Sequence, residues 1–444
     1  MPIKTILPIF LFSLALCANA QNKITLLQDS NQIQISKHIY GHFAEHLGRC
    51  IYDGIYVGEN STIPNTGGVR NDIIEALKKL QIPNLRWPGG CFADTYHWKD
   101  AIGPKEARKS IENLSWGNYR EDNGFGTHEF LDMCELLEAD PYLAVNMNTG
   151  SVQEAVEWKQ YTNSANNTSF LTDLREENGR DKPWNVKYWG IGNESWDCRG
   201  HMTADYYVNL YKRYATAMTS YHNTEKLFRI AVGPGIPDYD WTETIMKEIP
   251  ARRIEGLSVH HYAVNWDNRS KSTAFNDDEY FMIIDKAWFM EEFITKNSEV
   301  MDKYDPEKHV ALIVDEWGGW YDADPGKGVL YQQNTIRDAM IAGMTLNIFN
   351  NHADRVRMAN LAQTVNVLQA VILTEKEKLV LTPTYHVMEM YKVHQDASLV
   401  PLELSSNDFV YGDKKVPAIT FSSFFRVSGF IFELNGFLGE QLQM

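Results

Sequence analysis

The sequence predicts an α/β fold: a (β/α)8 TIM barrel with a small β-sandwich domain assembled from the two ends of the chain. Three observations predict it. Strand-like apolar runs alternate with helix-like stretches through residues 39–382, the spacing that gives a parallel sheet. Eight such runs are legible, the number that closes a barrel. Two of them end in a carboxylate. Tyr188-Trp189-Gly190-Ile191 leads into Gly192-Asn193-Glu194, and Val310-Ala311-Leu312-Ile313-Val314 leads into Asp315-Glu316-Trp317. The rim at the C-terminal ends of barrel strands is where active sites sit. The alternative reading of Asn193-Glu194 is a helix N-cap.

Taken in order, residues 24–27 and 33–35 read as short strands of a β unit outside the barrel, which covers residues 21–38. The barrel opens with residues 39–43 and reaches its rim near Glu45. Residues 72–80 read as a helix, with Ile73, Ile74, Leu77 and Leu80 on one face. A strand at 84–87 is stopped by Pro88-Gly89-Gly90, whose glycines let backbone approach a ligand. A long loop over residues 98–126, with Trp116, Asn118 and Tyr119, is suited to shaping a cleft. A helix at 127–137 follows, with Thr127 as its cap. A strand at 141–146 and a helix at 151–161 precede the Glu194 strand. A helix at 203–221, strands at 229–232 and 256–260, the Glu316 strand and a helix at 331–346 come next. The eighth strand is placed at 357–360, leading to Gln363. From residue 383 the helical pattern fades, and 409–411 and 418–421 read as strands of a C-terminal β domain spanning 383–444. The stretch 424–444 shows little alternation.

The 444 residues suit a barrel with an appendage, and the net charge of −16 excludes a nucleic-acid partner that would need basic patches. Residues 1–20 read as a secretory signal: Lys4, an apolar stretch from Ile6 to Leu16, and Ala18-Asn19-Ala20 before a mature start at Gln21. The stretch is too short to span a membrane. Cys17 would suit a lipoprotein signal, but bulky Leu16 precedes it. The expectation is a secreted or periplasmic protein. Cys50, Cys91, Cys134 and Cys198 are irregularly spaced, so free or buried thiols are favoured over a bridge.

Retaining glycoside hydrolysis needs one carboxyl as nucleophile and a second as acid and then base, about 5–5.5 Å apart. Glu194 and Glu316 fit by position. Asn193 could hydrogen-bond a sugar hydroxyl without altering the carboxylate charges. His260 or Tyr262, at the end of the sixth strand, could orient the nucleophile; a core histidine satisfied by backbone is the plain alternative. Arg86 could tune a carboxylate at the barrel mouth or form a structural ion pair. His42-Phe43-Ala44-Glu45-His46 has the H-x-x-E-H form of a zinc peptidase, but that chemistry needs a helix and the context here is a strand end. Glu45 reads better as an acceptor for a sugar hydroxyl.

These motifs resemble the α-L-arabinofuranosidases of glycoside hydrolase family 51. The residues that carry the resemblance are Gly41 through Arg49, Arg86 through Phe92, Gly192-Asn193-Glu194, Ser258 through Tyr262 and Asp315-Glu316-Trp317. The resemblance implies a retaining, exo-acting enzyme that removes terminal arabinofuranosyl units from arabinan or arabinoxylan. It implies Glu194 as acid/base, Glu316 as nucleophile, and Glu45, Asn193, His260, Tyr262 and Gln363 as arabinose contacts. No metal or organic cofactor is implied, and a homo-oligomer is compatible with it.

Two departures stand out. Cys91 replaces an Asn that bonds substrate in many members, and a thiol is the weaker partner. The C-terminal sandwich reads as truncated, as a frameshift or an incomplete gene would leave it. Three other functions are compatible with parts of the pattern: another barrel glycosidase such as an endoglucanase, a sugar-binding protein without turnover, and the zinc peptidase.

Overall fold

A computed structural model describes residues 22–27, 33–219, 226–426 and 429–436. The signal-like residues 1–20 lie outside these. Eight parallel strands close a barrel in chain order: β1 (Gly41–Phe43), β2 (Asn84–Trp87), β3 (Asp140–Val145), β4 (Tyr188–Ile191), β5 (Phe228–Ala231), β6 (Gly256–Ala263), β7 (Ala311–Gly319) and β8 (Val356–Ala362). Every expected barrel strand is present.

Alternation along these strands separates two layers. Tyr142, Tyr188, Ile230, Ala311, Ile313 and Met358 point inward and fill the base of the barrel. Their neighbours point outward onto helices. Trp87 stacks on Phe130 at 4.9 Å, and Trp317 meets Phe349 edge-on at 5.4 Å.

Nine α-helices surround the barrel among the described residues: α1 (Asn71–Leu80), α2 (Thr127–Leu137), α3 (Val152–Asn163), α4 (Phe170–Glu177), α5 (Ala204–Ala217), α6 (Tyr239–Glu248), α7 (Asp277–Tyr304), α8 (Ile336–Asn351) and α9 (Pro383–Tyr391). Several expectations need correction. In α2 the cap is Gly126, whose N–H donates to Glu129 Oε2 at 2.9 Å, while Thr127 Oγ1 accepts from Trp158. The helix expected from 331 starts at Ile336, because Thr335 and Asp338 close a capping box there. The helical pattern does not fade at 383, since α9 packs against α1 and α8. The sequence reading also missed α4, α6 and the 28-residue α7. In α7, Ile283, Ile284, Ala287, Met290, Ile294 and Met301 form a buried stripe, but acidic residues at both ends mask its periodicity.

The two ends of the chain do meet. Lys23–Leu26 pairs antiparallel with Leu402–Ser405. Ser398–Leu399, Ile419–Arg426 and Gly429–Gly436 form a three-stranded antiparallel sheet. The stretch after Phe424 is therefore not devoid of strands. Upstream of it, Ile419 through Phe424 are buried on both faces. The strand lies against α8, where Asn347 and Asn350 donate to Thr420 and Ser422 at 3.2 and 3.0 Å. Among the described residues, no helix is long and apolar enough to cross a membrane.

Candidate active site

The mouth of the barrel opens into a cavity of about 1010 Å³, the upper end of the usual size for a small-molecule site. Glu45, Glu194, His260, Tyr262, Glu316 and Gln363 line it together. Six chain segments thus contribute to one site, counting Arg86 beneath.

Glu316 owes its place to an irregularity in β7. Against β6 the register runs Ser258↔Ile313 and then His260↔Glu316, so β7 carries one extra residue. The pairing with β8 shifts at the same place, between Val314 and Trp317. A bulge re-aims side chains. Here it lets two consecutive acids, Asp315 and Glu316, both face inward. Glu316 Oε1 accepts from Arg86 Nη1 at 2.8 Å, and Oε2 accepts from Tyr262 OH at 2.9 Å. Arg86 Nη2 also donates to Asn193 Oδ1 at 2.6 Å, and its guanidinium carbon sits 4.5 Å above the Phe43 ring. Arg86 therefore contacts the carboxylates at the mouth directly. Gly90 is needed beside them, since a Cβ there would come within 2.7 Å of Glu316 Oε1.

Glu194 sits three residues beyond β4 in left-handed backbone, φ 36°. Its Oε1 lies 2.8 Å from His260 Nδ1, whereas Glu316 Oε2 is 3.6 Å from the same nitrogen. His260 thus partners Glu194, and it is Tyr262 that orients Glu316. One oxygen of each glutamate and a His260 ring nitrogen lie within 4.8 Å of one another. Burial pushes the Glu194 carboxyl above the ordinary glutamate range; the His260 bond pulls the other way, and the Glu316 charge adds to the push. Burial opposes a charge on His260 too, but Glu316, Asp315 and Glu194 outweigh it and raise the imidazole to about 10.

Glu45 Oε1 accepts from Gly90 N, Phe92 N and Trp116 Nε1 at 2.9, 3.1 and 2.8 Å, and Oε2 accepts from Gln363 Nε2 at 2.9 Å. Burial and Glu316 raise its carboxyl to about 7. The loop containing Trp116 does shape the cleft, as expected. His46, in contrast, points away into an aromatic layer, accepting from Trp87 Nε1 at 3.2 Å and stacking on Phe92 at 4.7 Å. The motif that begins at His42 starts on a strand and runs past its end, and its two histidines share no candidate metal cluster among the described residues.

Cys91 corrects the expectation of free thiols. It is bonded to Cys198, with the Cα atoms 5.4 Å apart, while Cys50 and Cys134 stay free and buried. Without an S–H, Cys91 cannot donate to a sugar. The bridge instead ties the turn after β2 to the segment bearing Glu194, and Cys198 Sγ lies 3.3 Å from Glu194 Oε2. The sequence reading also missed Asp315 and the rim aromatics Trp196, Trp266 and Trp320. Asp315 was in view within the Asp315-Glu316 pair, but strict alternation assigns neighbours to opposite faces.

Two family models match the chain: an α-L-arabinofuranosidase 1 domain over residues 76–280, and an α-L-arabinofuranosidase C-terminal domain over residues 315–437. An intracellular exo-α-L-arabinofuranosidase of Bacteroides ovatus is 49% identical over 413 residues, 92% of this chain and 80% of that protein. The crystal structure of the family GH51 arabinofuranosidase from Xanthomonas axonopodis pv. citri superposes with a TM-score of 0.91 at 46% identity, covering 94% of this chain and 85% of that one. The arabinose complex of the Thermotoga maritima α-L-arabinofuranosidase gives a TM-score of 0.80 at 34% identity, covering 92% and 83%. The intracellular Bacteroides relative overturns the expectation of a secreted or periplasmic protein. Signal-like composition at residues 1–20 was its sole support. Identity and coverage of this extent place the chain among the α-L-arabinofuranosidases of glycoside hydrolase family 51, as a glycoside hydrolase.

Proposed function

We propose that the protein is a retaining, exo-acting enzyme that releases terminal α-L-arabinofuranosyl residues from arabinan- or arabinoxylan-type chains, with Glu316 as nucleophile and Glu194 as acid/base. The observation that carries this reading is the pair of carboxylates gathered around His260, with oxygens within 4.8 Å. That spacing fits the double-displacement geometry and falls short of the separation an inverting enzyme keeps for its water.

In the first step Glu316 attacks the anomeric carbon. The glycosidic C–O bond breaks, and Glu194 gives its proton to the departing oxygen. In the second step Glu194 takes a proton from water, whose oxygen displaces Glu316. Arg86 and Tyr262 hold both Glu316 oxygens on line. Glu45, held by four donors, is rigidly placed to accept from sugar hydroxyls, and Gln363 Oε1 has no protein partner among the described residues. The cavity far exceeds one furanose ring. Trp320, edge-on to Tyr262 at 5.0 Å and to Trp266 at 5.2 Å, offers apolar faces for the next sugar.

Proton NMR of the hydrolysis of an aryl α-L-arabinofuranoside tests the mechanism. The first product is expected in the α configuration, and β-arabinose appearing first refutes retention. On the polymers, free arabinose is expected as the sole early product; shortened backbone fragments count against exo action.

A further inference from the structure

Asp315 is a buried charged group beside the site that the mechanism above leaves without a task. It is buried at the foot of the mouth, and donors converge on it from three other strands. Tyr142 of β3 donates to Oδ2 at 2.6 Å, and Ser258 of β6 donates to Oδ1. Arg86 Nε of β2 lies 3.5 Å from Oδ2, and His260 Nε2 of β6 lies 3.2 Å from Oδ1. Two hydroxyl donors, a guanidinium and a ring nitrogen gathered around one carboxyl hold it ionised. Nε2 of His260 therefore carries the hydrogen on that side.

The other ring nitrogen faces Glu194 Oε1 at 2.8 Å. Two arrangements satisfy that contact. Either Nδ1 carries a hydrogen and Glu194 Oε1 accepts it, or Glu194 carries the hydrogen on Oε1 and Nδ1 accepts. In the second arrangement the acidic proton points at histidine and is useless to a leaving group. In the first, it must sit on Oε2, the oxygen nearer the Cys198 sulfur. The surroundings decide between them. His260 has Asp315 and Glu316 within 3.6 Å, Arg86 is already bonded to Glu316, and Glu45 and Asp94 are the further acids on the β1 and β2 sides.

We propose that Asp315 is a positioning residue for the reaction: it holds His260 as an imidazolium, and His260 thereby fixes the transferable proton of Glu194 on Oε2. The chain of contacts runs Asp315 Oδ1, His260 Nε2, His260 Nδ1, Glu194 Oε1. No proton passes along it. Only the Oε2 proton moves, to the departing oxygen as the glycosidic bond breaks and the Glu316 bond forms. The raised imidazole and the lowered Asp315 carboxyl agree with this arrangement. The inference rests on Glu194 being the acid/base.

The test has two arms. Nitrogen NMR of wild-type enzyme with labelled histidine reads the ring directly, and both His260 nitrogens are expected to carry hydrogen from pH 6 to pH 8. A ring with one bare nitrogen at pH 7 overturns the proposal, whatever the variants do. In the second arm, Asp315→Asn removes the countercharge while keeping the shape. The ring then becomes neutral and the Glu194 proton shifts toward Oε1. Activity on alkyl arabinofuranosides is expected to fall by about 10²-fold, the lower end of general acid catalysis, with a much smaller loss on an aryl substrate whose phenol leaves unaided.

The pH profile gives a sign. Losing the imidazolium charge beside Glu194 raises its pKa, so the basic limb of kcat/KM moves to higher pH. Equal losses on both substrates with an unmoved limb mean a structural role only, and overturn the proposal. Failure of the underlying reading looks different: Glu194→Ala would then lose activity equally on both substrate types, while the wild-type histidine spectrum stays as expected.

Discussion

The two glutamates stand in contrasting settings. Glu316 lies inside a strand whose nine residues are all buried, and both of its oxygens are held by donors. Glu194 lies past the end of its strand, in left-handed backbone, with 19% of its side chain exposed. Its segment is pinned by a disulfide and by His260 rather than by a sheet ladder. A nucleophile must meet one atom at a fixed distance, and a strand core gives that rigidity. An acid/base must serve a leaving group and then a water, from a side open to solvent. The same residue type is thus assigned two tasks by its surroundings.

The contrast can be broken most severely at the nucleophile. Glu316→Ala is expected to lower kcat/KM by about 10^4-fold or more on every substrate, because no group remains to form the covalent intermediate. Steady-state assays across leaving groups check this, and a loss confined to poor leaving groups would exchange the two roles. Glu194→Ala is expected to cost about 10²–10⁴-fold on poor leaving groups and far less on activated aryl substrates. Its pH profile sharpens the point. Glu194 must be protonated to act, and its pKa is raised, so wild-type activity falls on the alkaline side, above the ordinary glutamate range. That limb should vanish in Glu194→Ala.

Smaller changes separate the two supports. Tyr262→Phe removes one charge-assisted bond to Glu316, a cost of about 1.5–3 kcal/mol, or roughly 10–100-fold in kcat/KM. The loss should be similar for good and poor leaving groups. Cys198→Ser acts on the other side. The bridge closes a loop of 107 residues, and its removal should destabilise the fold by about 2–4 kcal/mol. A urea titration measures that. Any accompanying loss of activity should weigh on poor leaving groups, and a uniform loss would mean that the bridge does not serve Glu194.

The same contrast explains what could be read from the sequence. Residues 310–314 form a continuous apolar run that reads as a doubly buried strand, and eight strand-like runs gave the barrel and placed both glutamates on its rim. Glu45 came from its place at the end of the first strand and Gln363 from motif resemblance, and the structure bonds them to each other. What escaped depends on the third dimension. Cys91 and Cys198 have no telling spacing; only the adjacency of the β2 and β4 ends across β3 brings them together. Asp315 escaped because its inward aim depends on the extra residue in β7, which alternation does not anticipate. The long α7 was missed because its buried stripe is interleaved with charge.

The most direct test of the division of labour is to trap the intermediate. An activated 2-fluoro-arabinofuranoside should inactivate the enzyme as a slowly hydrolysed glycosyl ester, and peptide mapping by mass spectrometry locates it. The account predicts the sugar on Glu316. A label on Glu194, or time-dependent inactivation with no ester on either glutamate, would contradict it.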